Sequence, residues 1–348
     1  MEIFEAVRIL IMFALSFITA LLLTPLVLHF LEKYDIRKTN IRSAESAPVF
    51  HEFHKNKSGT VTMAGIIVWL TVLGLALIFF LFRGLLNGFA DYFNFVDRAE
   101  TYLPLAALFL SALLGFLDDL IGVRGKGGKG GGFSVTQRLL LFSLVAVLGA
   151  VWFYFRLGWD VLYIPFIGTV SIGPWYILLF FFVLVASAFS TNETDGLDGL
   201  AAGVLFFAFG AMIVVSFMLQ RYDLAVMNAT ILGALLAFLW FNIYPARFFM
   251  GDTGSMSLGI TLGVMAMLTN TVLFLPFFGL VLVWESASVI IQVLSKKFRG
   301  KKIFLSAPIH HHFEALGWHE SQVVMRFWII SAVASIFGLV LFFLARFA

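Results

Sequence analysis

The sequence lacks cysteine altogether and is poor in charge. Without a cysteine among its 348 residues, it cannot form a disulfide bond, a thiolate metal site or a cysteine nucleophile. Charged residues make up 12% of the chain and hydrophobic residues 61%, a balance that excludes an ordinary soluble globule. We therefore expect a membrane protein whose chemistry uses oxygen and nitrogen groups.

Long apolar stretches are what the sequence has in abundance. Ten of them approach the roughly 17 to 25 residues that a bilayer-spanning helix needs. The first, from about Ile9 to Leu28, lacks a small-residue cleavage site, so we expect a retained span and not a signal peptide. The sequence predicts an all-α polytopic membrane protein in which residues 1–348 form one integral membrane domain. The predicted span centres are Leu15, Val72, Leu110, Val147, Phe182, Ala208, Leu235, Val264, Val281 and Ala334.

Two further patterns orient these spans. Between the fourth and fifth, the stretch from Tyr163 to Gly173 predicts two short β segments about a turn at Gly168-Thr169, a small hairpin at the membrane surface. The loops after the odd-numbered spans hold 17 of the 23 lysines and arginines. The positive-inside rule then predicts that those loops are cytoplasmic and that both termini and the hairpin are extracytoplasmic.

Five aspartates lie in three short loops of this apolar chain: Asp118-Asp119, Asp195, Asp198 and Asp252. Carboxylates at the ends of apolar helices lose solvation energy, so they need a cation or a proton. All five fall in loops predicted to be cytoplasmic. A transporter would hold its ionisable residues near the middle of the bilayer, whereas this placement favours a reaction at the membrane surface.

The three acidic loops differ in character. Asp118-Asp119 directly follows a span, and two like charges so close should recruit a cation or hold a proton; the alternative is a solvated helix end. Asp195 and Asp198 are three residues apart and would share one face if the segment is helical. Asp252 opens the eighth span, where free backbone N–H groups favour an anion or a phosphate.

Histidines and basic residues occupy the same predicted side. Three consecutive histidines at 310–312 lie among apolar residues, so we favour hydrogen-bond donors to phosphate over metal ligands. The five cations within 296–302 fit anionic lipid headgroups as well as a substrate. Lys57 and Thr62, ahead of the second span, are further phosphate-type partners. The glycine-rich stretch 124–132 is interpreted as a flexible linker without chemistry.

These features together predict phosphoryl transfer onto a lipid. The acids suit a divalent metal, the helix N-terminus suits phosphate, and the apolar body suits a lipid partner. Mg²⁺ is the hard cation that such carboxylates select, and it would bridge a diphosphate while neutralising transition-state charge. No nucleic-acid partner is expected, and a homodimer is compatible with the sequence.

Four motifs resemble one known family. They occur in the order found in the phospho-N-acetylmuramoyl-pentapeptide transferase family, and the likeness runs from His54 to about Trp328. The final motif matters most, because it separates this family from bacterial relatives that transfer N-acetylglucosamine phosphate. The motifs are Gly-Phe-Leu-Asp-Asp from 115, Asn-x-Thr-Asp-Gly-Leu-Asp-Gly-Leu-Ala from 192, Phe-Met-Gly-Asp-Thr-Gly-Ser from 249, and Ala-Pro-Ile-His-His-His-Phe-Glu from 307.

The resemblance implies a reaction and residues for it. UDP-MurNAc-pentapeptide and undecaprenyl phosphate would give lipid I and UMP at the cytoplasmic face of the bacterial plasma (inner) membrane. Asp252 would be the Mg²⁺ ligand, and Asp118 or Asp119 would deprotonate or position the lipid phosphate. Residues implied around the uridine are Lys57, Gly196, Leu197, Asp198, Asn242 and Phe249, the last able to stack on uracil. Residues implied around the sugar and diphosphate are Asn192, Asp195, His311 and His312.

Some positions depart from the family pattern, and two other functions stay open. Gly122 stands where the family usually has a lysine, and Arg138 or Arg124 would have to replace that phosphate contact. The near alternative is a GlcNAc-phosphate transferase of the same fold, and the distant one is a cation-coupled transporter. The sequence also leaves open whether transfer is direct or passes through a covalent aspartyl intermediate. Further departures are Val61, Phe189 and Glu193.

Overall fold

The computed structural model describes residues 2–37, 59–84, 88–96, 99–125 and 132–347, and these are mostly helical. A short π-helical segment, Trp152–Arg156, directly follows the helix Val135–Val151. In chain order the helices are α1 (Glu2–Lys33), α2 (Ile66–Leu81), α3 (Phe89–Phe93), α4 (Ala99–Val123), α5 (Val135–Val151), α6 (Trp175–Thr194), α7 (Leu200–Met218), α8 (Tyr222–Asn242), α9 (Asp252–Leu268), α10 (Leu275–Phe278), α11 (Leu280–Arg299), α12 (Ile309–Ala315) and α13 (Glu320–Phe347).

Seven helices in the described ranges are long and apolar enough to cross a membrane: α1, α4, α5 with its extension, α6, α7, α8 and α13. They contain seven of the ten predicted centres. The other three centres, Val72, Val264 and Val281, lie in α2, α9 and α11, which have 16, 17 and 20 residues. A mostly helical chain with several helices that could span a membrane is confirmed, and the number of ten spans stays a prediction.

The predicted hairpin is present, but its turn lies elsewhere. Strands β1 (Val161–Ile164) and β2 (Gly168–Ser171) pair antiparallel along their full length. The predicted turn at Gly168-Thr169 is wrong, because these residues begin β2. The chain reverses at 165–167, where Pro165 restricts the backbone and Phe166 adopts a left-handed conformation with φ 64°.

Helix α9 is the buried centre of the described fold. Every residue from Thr253 to Leu268 is buried, and the helix packs mainly against α4 and α6. The close approach depends on glycine. A Cβ at Gly115 of α4 would collide with the backbone of Asp252, and a Cβ at Gly259 would lie 2.6 Å from the backbone oxygen of Ser187 in α6. Small residues let helix backbones pack this closely in membranes, and here they bring the start of α9 against its neighbours.

We expect Gly259→Ala to destabilise the protein. The new methyl group has no room beside the α6 backbone, and such overpacking costs about 1 to 3 kcal/mol. The measurement is the midpoint of thermal unfolding in detergent. Gly210→Ala in α7 is the matched control, since a Cβ there meets nothing within 4 Å. Equal midpoints for the two variants would contradict the close packing of α9.

Candidate active site

Asp118, near the C-terminal end of α4, is held by contacts from the start of α5. Its side chain is 1% exposed and forms an ion pair with Arg138, with Nε 2.6 Å from Oδ2. The backbone N–H of Phe133 also donates to Asp118. Gly132, with φ 82°, lies so close that a Cβ there would collide with this carboxylate. The last residue of the glycine-rich stretch therefore lies against the candidate site, and the interpretation of the stretch as a flexible linker stays a prediction.

Asp252 also forms an ion pair with Arg138. Its Oδ2 atom lies 3.1 Å from Nη2 of Arg138, and its side chain is 17% exposed. Asn192, at the end of α6, donates to Asp252 Oδ1 at 2.7 Å and to Ser255 Oγ at 3.2 Å. Three predicted residues, Asp118, Asn192 and Asp252, are thus joined through direct contacts and one guanidinium.

Asp119 lies against the N-terminus of α9. Its two carboxylate oxygens accept the backbone N–H groups of Asp252 at 3.1 Å and Thr253 at 2.9 Å. Gly251, with φ 73°, permits the approach, because a Cβ there would lie 2.7 Å from Asp119 Oδ2. The sequence predicted free N–H groups that favour an anion or a phosphate at this helix end. An acidic group does accept these two N–H groups, but it is a carboxylate of the chain itself, so neither is free for phosphate.

The loop between α6 and α7 carries the second acidic pair. Residues 195–199 form turns and not a helix, so the expected helical face shared by Asp195 and Asp198 is absent. Asp198 is buried, and its Oδ2 accepts the N–H of Ala246 at 3.0 Å while its own N–H donates to Glu320 at 2.7 Å. Leu197 is also buried.

Asn242, at the end of α8, connects this loop to the segment before α9. Its side-chain oxygen accepts the N–H of Gly199 at 3.1 Å, and its side-chain nitrogen donates to the carbonyl of Phe248 at 2.8 Å. These contacts position the loop that holds Asp198. Asn242 is buried, and its side chain joins two segments of the backbone.

Thr62 and Phe249 lie in two segments that pair beside the start of α9. The N–H of Phe249 donates to the Val61 carbonyl at 2.8 Å, and the N–H of Ala64 donates to the Phe249 carbonyl at 3.0 Å. Thr62 is buried and Phe249 is partly exposed. Lys57, which we also predicted to bind substrate, lies outside the described residues.

The three histidines form separate contacts in and beside α12. His310 Nδ1 lies 2.9 Å from Oε2 of Glu285, and a Cβ at Gly196 would collide with the His310 ring. His311 Nδ1 lies 2.6 Å from Glu314 Oε2. His312 Nδ1 accepts the N–H of Leu305 at 3.2 Å. Gly196 is therefore beside the histidine segment.

Ser255 was not predicted as a site residue, and His310 was predicted only as one of three histidines that could donate to phosphate. His310 was part of the triplet, and the signal that could have selected it is Glu285, an acid isolated in an apolar stretch. Arg138 was named only as a replacement for a missing lysine, yet it is the cation between two acids. In the described part of the chain, no group of three or more histidines, aspartates and glutamates is arranged to hold a metal ion.

Proteins of one name resemble the chain over nearly its whole length. A family model described as Glycosyl transferase family 4 matches residues 101–270. A phospho-N-acetylmuramoyl-pentapeptide-transferase of Geobacillus sp. (strain WCH70) is 39% identical over 332 residues, covering 93% of this chain and 95% of that protein. Proteins of the same name from Chloroflexus aggregans (strain MD-66 / DSM 9485) and Bacillus subtilis (strain 168) are 35% and 36% identical. Those matches cover 96% and 93% of this chain, and 89% and 95% of the respective relatives.

We expect Asp119→Asn to lower thermal stability. An amide supplies only one acceptor oxygen and no charge to the two N–H groups at the start of α9, and losing such a cap costs roughly 0.5 to 2 kcal/mol. Thermal unfolding in detergent measures the loss. Asp91→Asn is the matched control, because Asp91 also accepts a backbone N–H, that of Gly84 at 2.9 Å, but in an exposed position. An unchanged midpoint for Asp119→Asn would show that this carboxylate does not stabilise α9.

Proposed function

Because the chain belongs to the phospho-N-acetylmuramoyl-pentapeptide-transferase family, we propose that it makes lipid I for peptidoglycan synthesis. It would transfer phospho-MurNAc-pentapeptide from UDP-MurNAc-pentapeptide to undecaprenyl phosphate and release UMP. The observation that carries this proposal is 35–39% identity to transferases of that name over more than nine-tenths of the chain. The reaction would take place at the bacterial plasma membrane with a cytoplasmic active site, in a chain whose sequence is compatible with a homodimer.

The atoms balance as a phosphoryl transfer. An oxygen of the lipid phosphate would attack the phosphorus that carries the sugar, and the bridging bond to the uridine-bearing phosphate would break. UMP leaves with that bridging oxygen, and the lipid keeps a diphosphate linked to the sugar. Two anionic reactants must approach one another, so the main demand on the protein is to position them and to compensate their charge.

Arg138 is the residue we assign to charge compensation. Its guanidinium lies between the carboxylates of Asp118 and Asp252, and guanidinium groups bind phosphate oxygens by the same fork geometry. A phosphate that enters beside Asp252 would compete for this cation. Asp118 would then lose part of its ion pair and become available to accept a proton from the lipid phosphate.

Asp252 is the residue we assign to Mg²⁺. Proteins usually bind this ion through one or two carboxylates together with substrate phosphates, so one carboxylate beside the diphosphate fits it without a third acid. The side chain of Asp252 is 17% exposed, so an ion that arrives with the substrate could reach it. When bound, the ion would neutralise charge on the diphosphate.

Asp119 is better suited to positioning than to proton transfer, since its two oxygens hold the start of α9 and with it the backbone of Asp252. Asn192 would orient the Asp252 carboxylate through its 2.7 Å hydrogen bond. The loop with Asp195, Gly196, Leu197 and Asp198 would bind the nucleotide-sugar, together with Phe249. His311 and His312 would border its diphosphate, and Lys57 and Thr62 remain assigned to the substrate as well.

The substrate assignment is tested with the purified full chain in lipid vesicles supplied with Mg²⁺ and undecaprenyl phosphate. We expect UMP release with UDP-MurNAc-pentapeptide and only background release with UDP-GlcNAc. Release with UDP-GlcNAc alone would favour the GlcNAc-phosphate transferase. Cation flux across the vesicle membrane without UMP release would favour the transporter.

We expect Asp252→Asn to lose Mg²⁺-dependent UMP release by a factor of roughly 100 or more, because it removes a charge that would act on the transferred phosphate. Initial rates at saturating substrate over a range of Mg²⁺ concentrations measure the loss. Asp160→Asn is the matched control, an aspartate beside the hairpin that accepts a hydrogen bond from Ser171, and it should keep the parent rate. Full Mg²⁺-dependent activity in Asp252→Asn would refute the metal assignment.

A further inference from the structure

Helix α11 has its polar side chains inward and its apolar side chains outward. The buried face carries Glu285 and Ser286, which contact His310 and Ser190 respectively. The exposed face carries large apolar side chains. This is the reverse of a helix on the surface of a soluble protein, and it is the pattern of a helix beside a lipid phase. The exposed apolar residues are Val283, Trp284, Ile290, Ile291, Val293, Leu294 and Phe298.

The C-terminal end of α11 changes abruptly from apolar to basic. Five cations lie within 296–302, all are exposed, and no acidic residue occurs between Glu285 and Glu314. In the described part of the chain none of the five forms an ion pair, whereas other exposed cations such as Arg37 do. We call the exposed part of residues 296–305 the basic edge. Its charge is therefore available to an anionic partner.

The basic edge is held in place by α11. Gln292, which is buried, donates to the Phe304 carbonyl at 2.8 Å and accepts the N–H groups of Ile303 at 3.0 Å and Phe304 at 3.1 Å. Ser295 donates to the Lys301 carbonyl at 2.9 Å. These bonds fold the segment after the helix back along its last turns, so that the cations and the apolar residues form one surface.

Apolar side chains within the basic edge complete an amphipathic arrangement. Phe298 is 75% exposed, and Ile303 and Leu305 are each 50% exposed. Lys297 lies over the Phe298 ring at 5.7 Å. Apolar groups that enter the acyl region beside cations at headgroup level are the combination that binds anionic membranes.

We propose that the basic edge binds the anionic phospholipid headgroups of the bilayer in which the chain lies. The occupant is a lipid and not a soluble phosphate, because the cations directly continue the outward apolar face of α11. Acidic phospholipid would then be enriched around this end of the helix. The proposal goes beyond the transfer reaction and is tested without it.

The test uses the absence of native cysteine, which allows one fluorophore on Ile303→Cys of the full chain. The protein is reconstituted in phosphatidylcholine containing a small fraction of nitroxide-labelled phosphatidylglycerol or nitroxide-labelled phosphatidylcholine. We expect the phosphatidylglycerol to quench at least about threefold more strongly at equal mole fraction and low salt, since each nearby cation attracts anionic lipid. Equal quenching by the two lipids would overturn the proposal.

Removing three cations at the basic edge, and three elsewhere, distinguishes an effect of the basic edge from an effect of the net charge of the protein. In the Ile303→Cys background, Lys296→Gln, Lys297→Gln and Arg299→Gln together should bring the quenching ratio to about half the parent value or lower. The matched control removes three exposed cations elsewhere, through Lys33→Gln, Arg83→Gln and Arg156→Gln, and should keep the parent ratio. The proposal would be overturned if the three α11 substitutions left the quenching ratio unchanged, or if both sets of substitutions lowered it equally.

A final measurement distinguishes lipid from soluble phosphate. The dissociation constant of UDP, determined by calorimetry in phosphatidylcholine nanodiscs, should be the same for the parent and for the variant with the three α11 cations removed. Weaker UDP binding together with an unchanged quenching ratio would assign the basic edge to the substrate and refute lipid binding. Neither lipid quenching nor UDP binding requires turnover. The lipid proposal can therefore be tested even if the transferase assignment is wrong.

Discussion

One guanidinium compensates two carboxylates where α4, α5 and α9 meet, and the candidate site depends on it. Asp118 is 1% exposed, and a charge so deeply buried costs several kcal/mol unless it is paired. Arg138 supplies the pairing and also reaches Asp252. The glycines that bring α9 against α4 and α6 make this arrangement possible, because bulkier residues would separate the two acids.

A second electrostatic contact determines how α9 can be used. The N-terminus of a helix is an anion site, and in a transferase it would ordinarily be a good place for phosphate. Here Asp119 accepts the first two N–H groups. The helix dipole therefore stabilises an acid of the protein, and in the proposed transferase phosphate would bind to Arg138 and to the Mg²⁺ assigned to Asp252. The adjacent acids Asp118 and Asp119 thus have different partners and different tasks.

Local patterns in the sequence predicted much of the fold and of the site. Apolar length predicted the long helices, and the positions of the acids at helix ends predicted a common site for Asp118 and Asp252. Contacts between distant residues were not predictable in the same way. Nothing in the glycine-rich stretch indicates that Gly132 and Phe133 return to Asp118, and the pairing of His310 with Glu285 joins residues 25 positions apart.

Two predictions made from short stretches of sequence were wrong, the hairpin turn and the helical face of Asp195 and Asp198, and each has a physical reason. Glycine is a common turn residue, but here the chain reverses three residues earlier, from Pro165, and Gly168 already pairs with Ile164. The spacing of Asp195 and Asp198 would suit a helix, but the glycines at 196 and 199 lie in turns between two helices. Asp198 consequently accepts the backbone N–H of Ala246, in the loop between α8 and α9.

The difference in exposure between the two paired acids implies an order of events. Asp252 is 17% exposed, whereas Asp118 is 1% exposed and has its charge paired. In the proposed reaction, a substrate phosphate would reach Asp252 and Arg138 first, and only its competition for the guanidinium would release Asp118. A proton acceptor that is unmasked in this way is idle until an anion has bound. In the proposed transferase the shared cation would therefore keep the base paired until a phosphate has bound, and the base and the charge that stabilises the attacked phosphate would become available together.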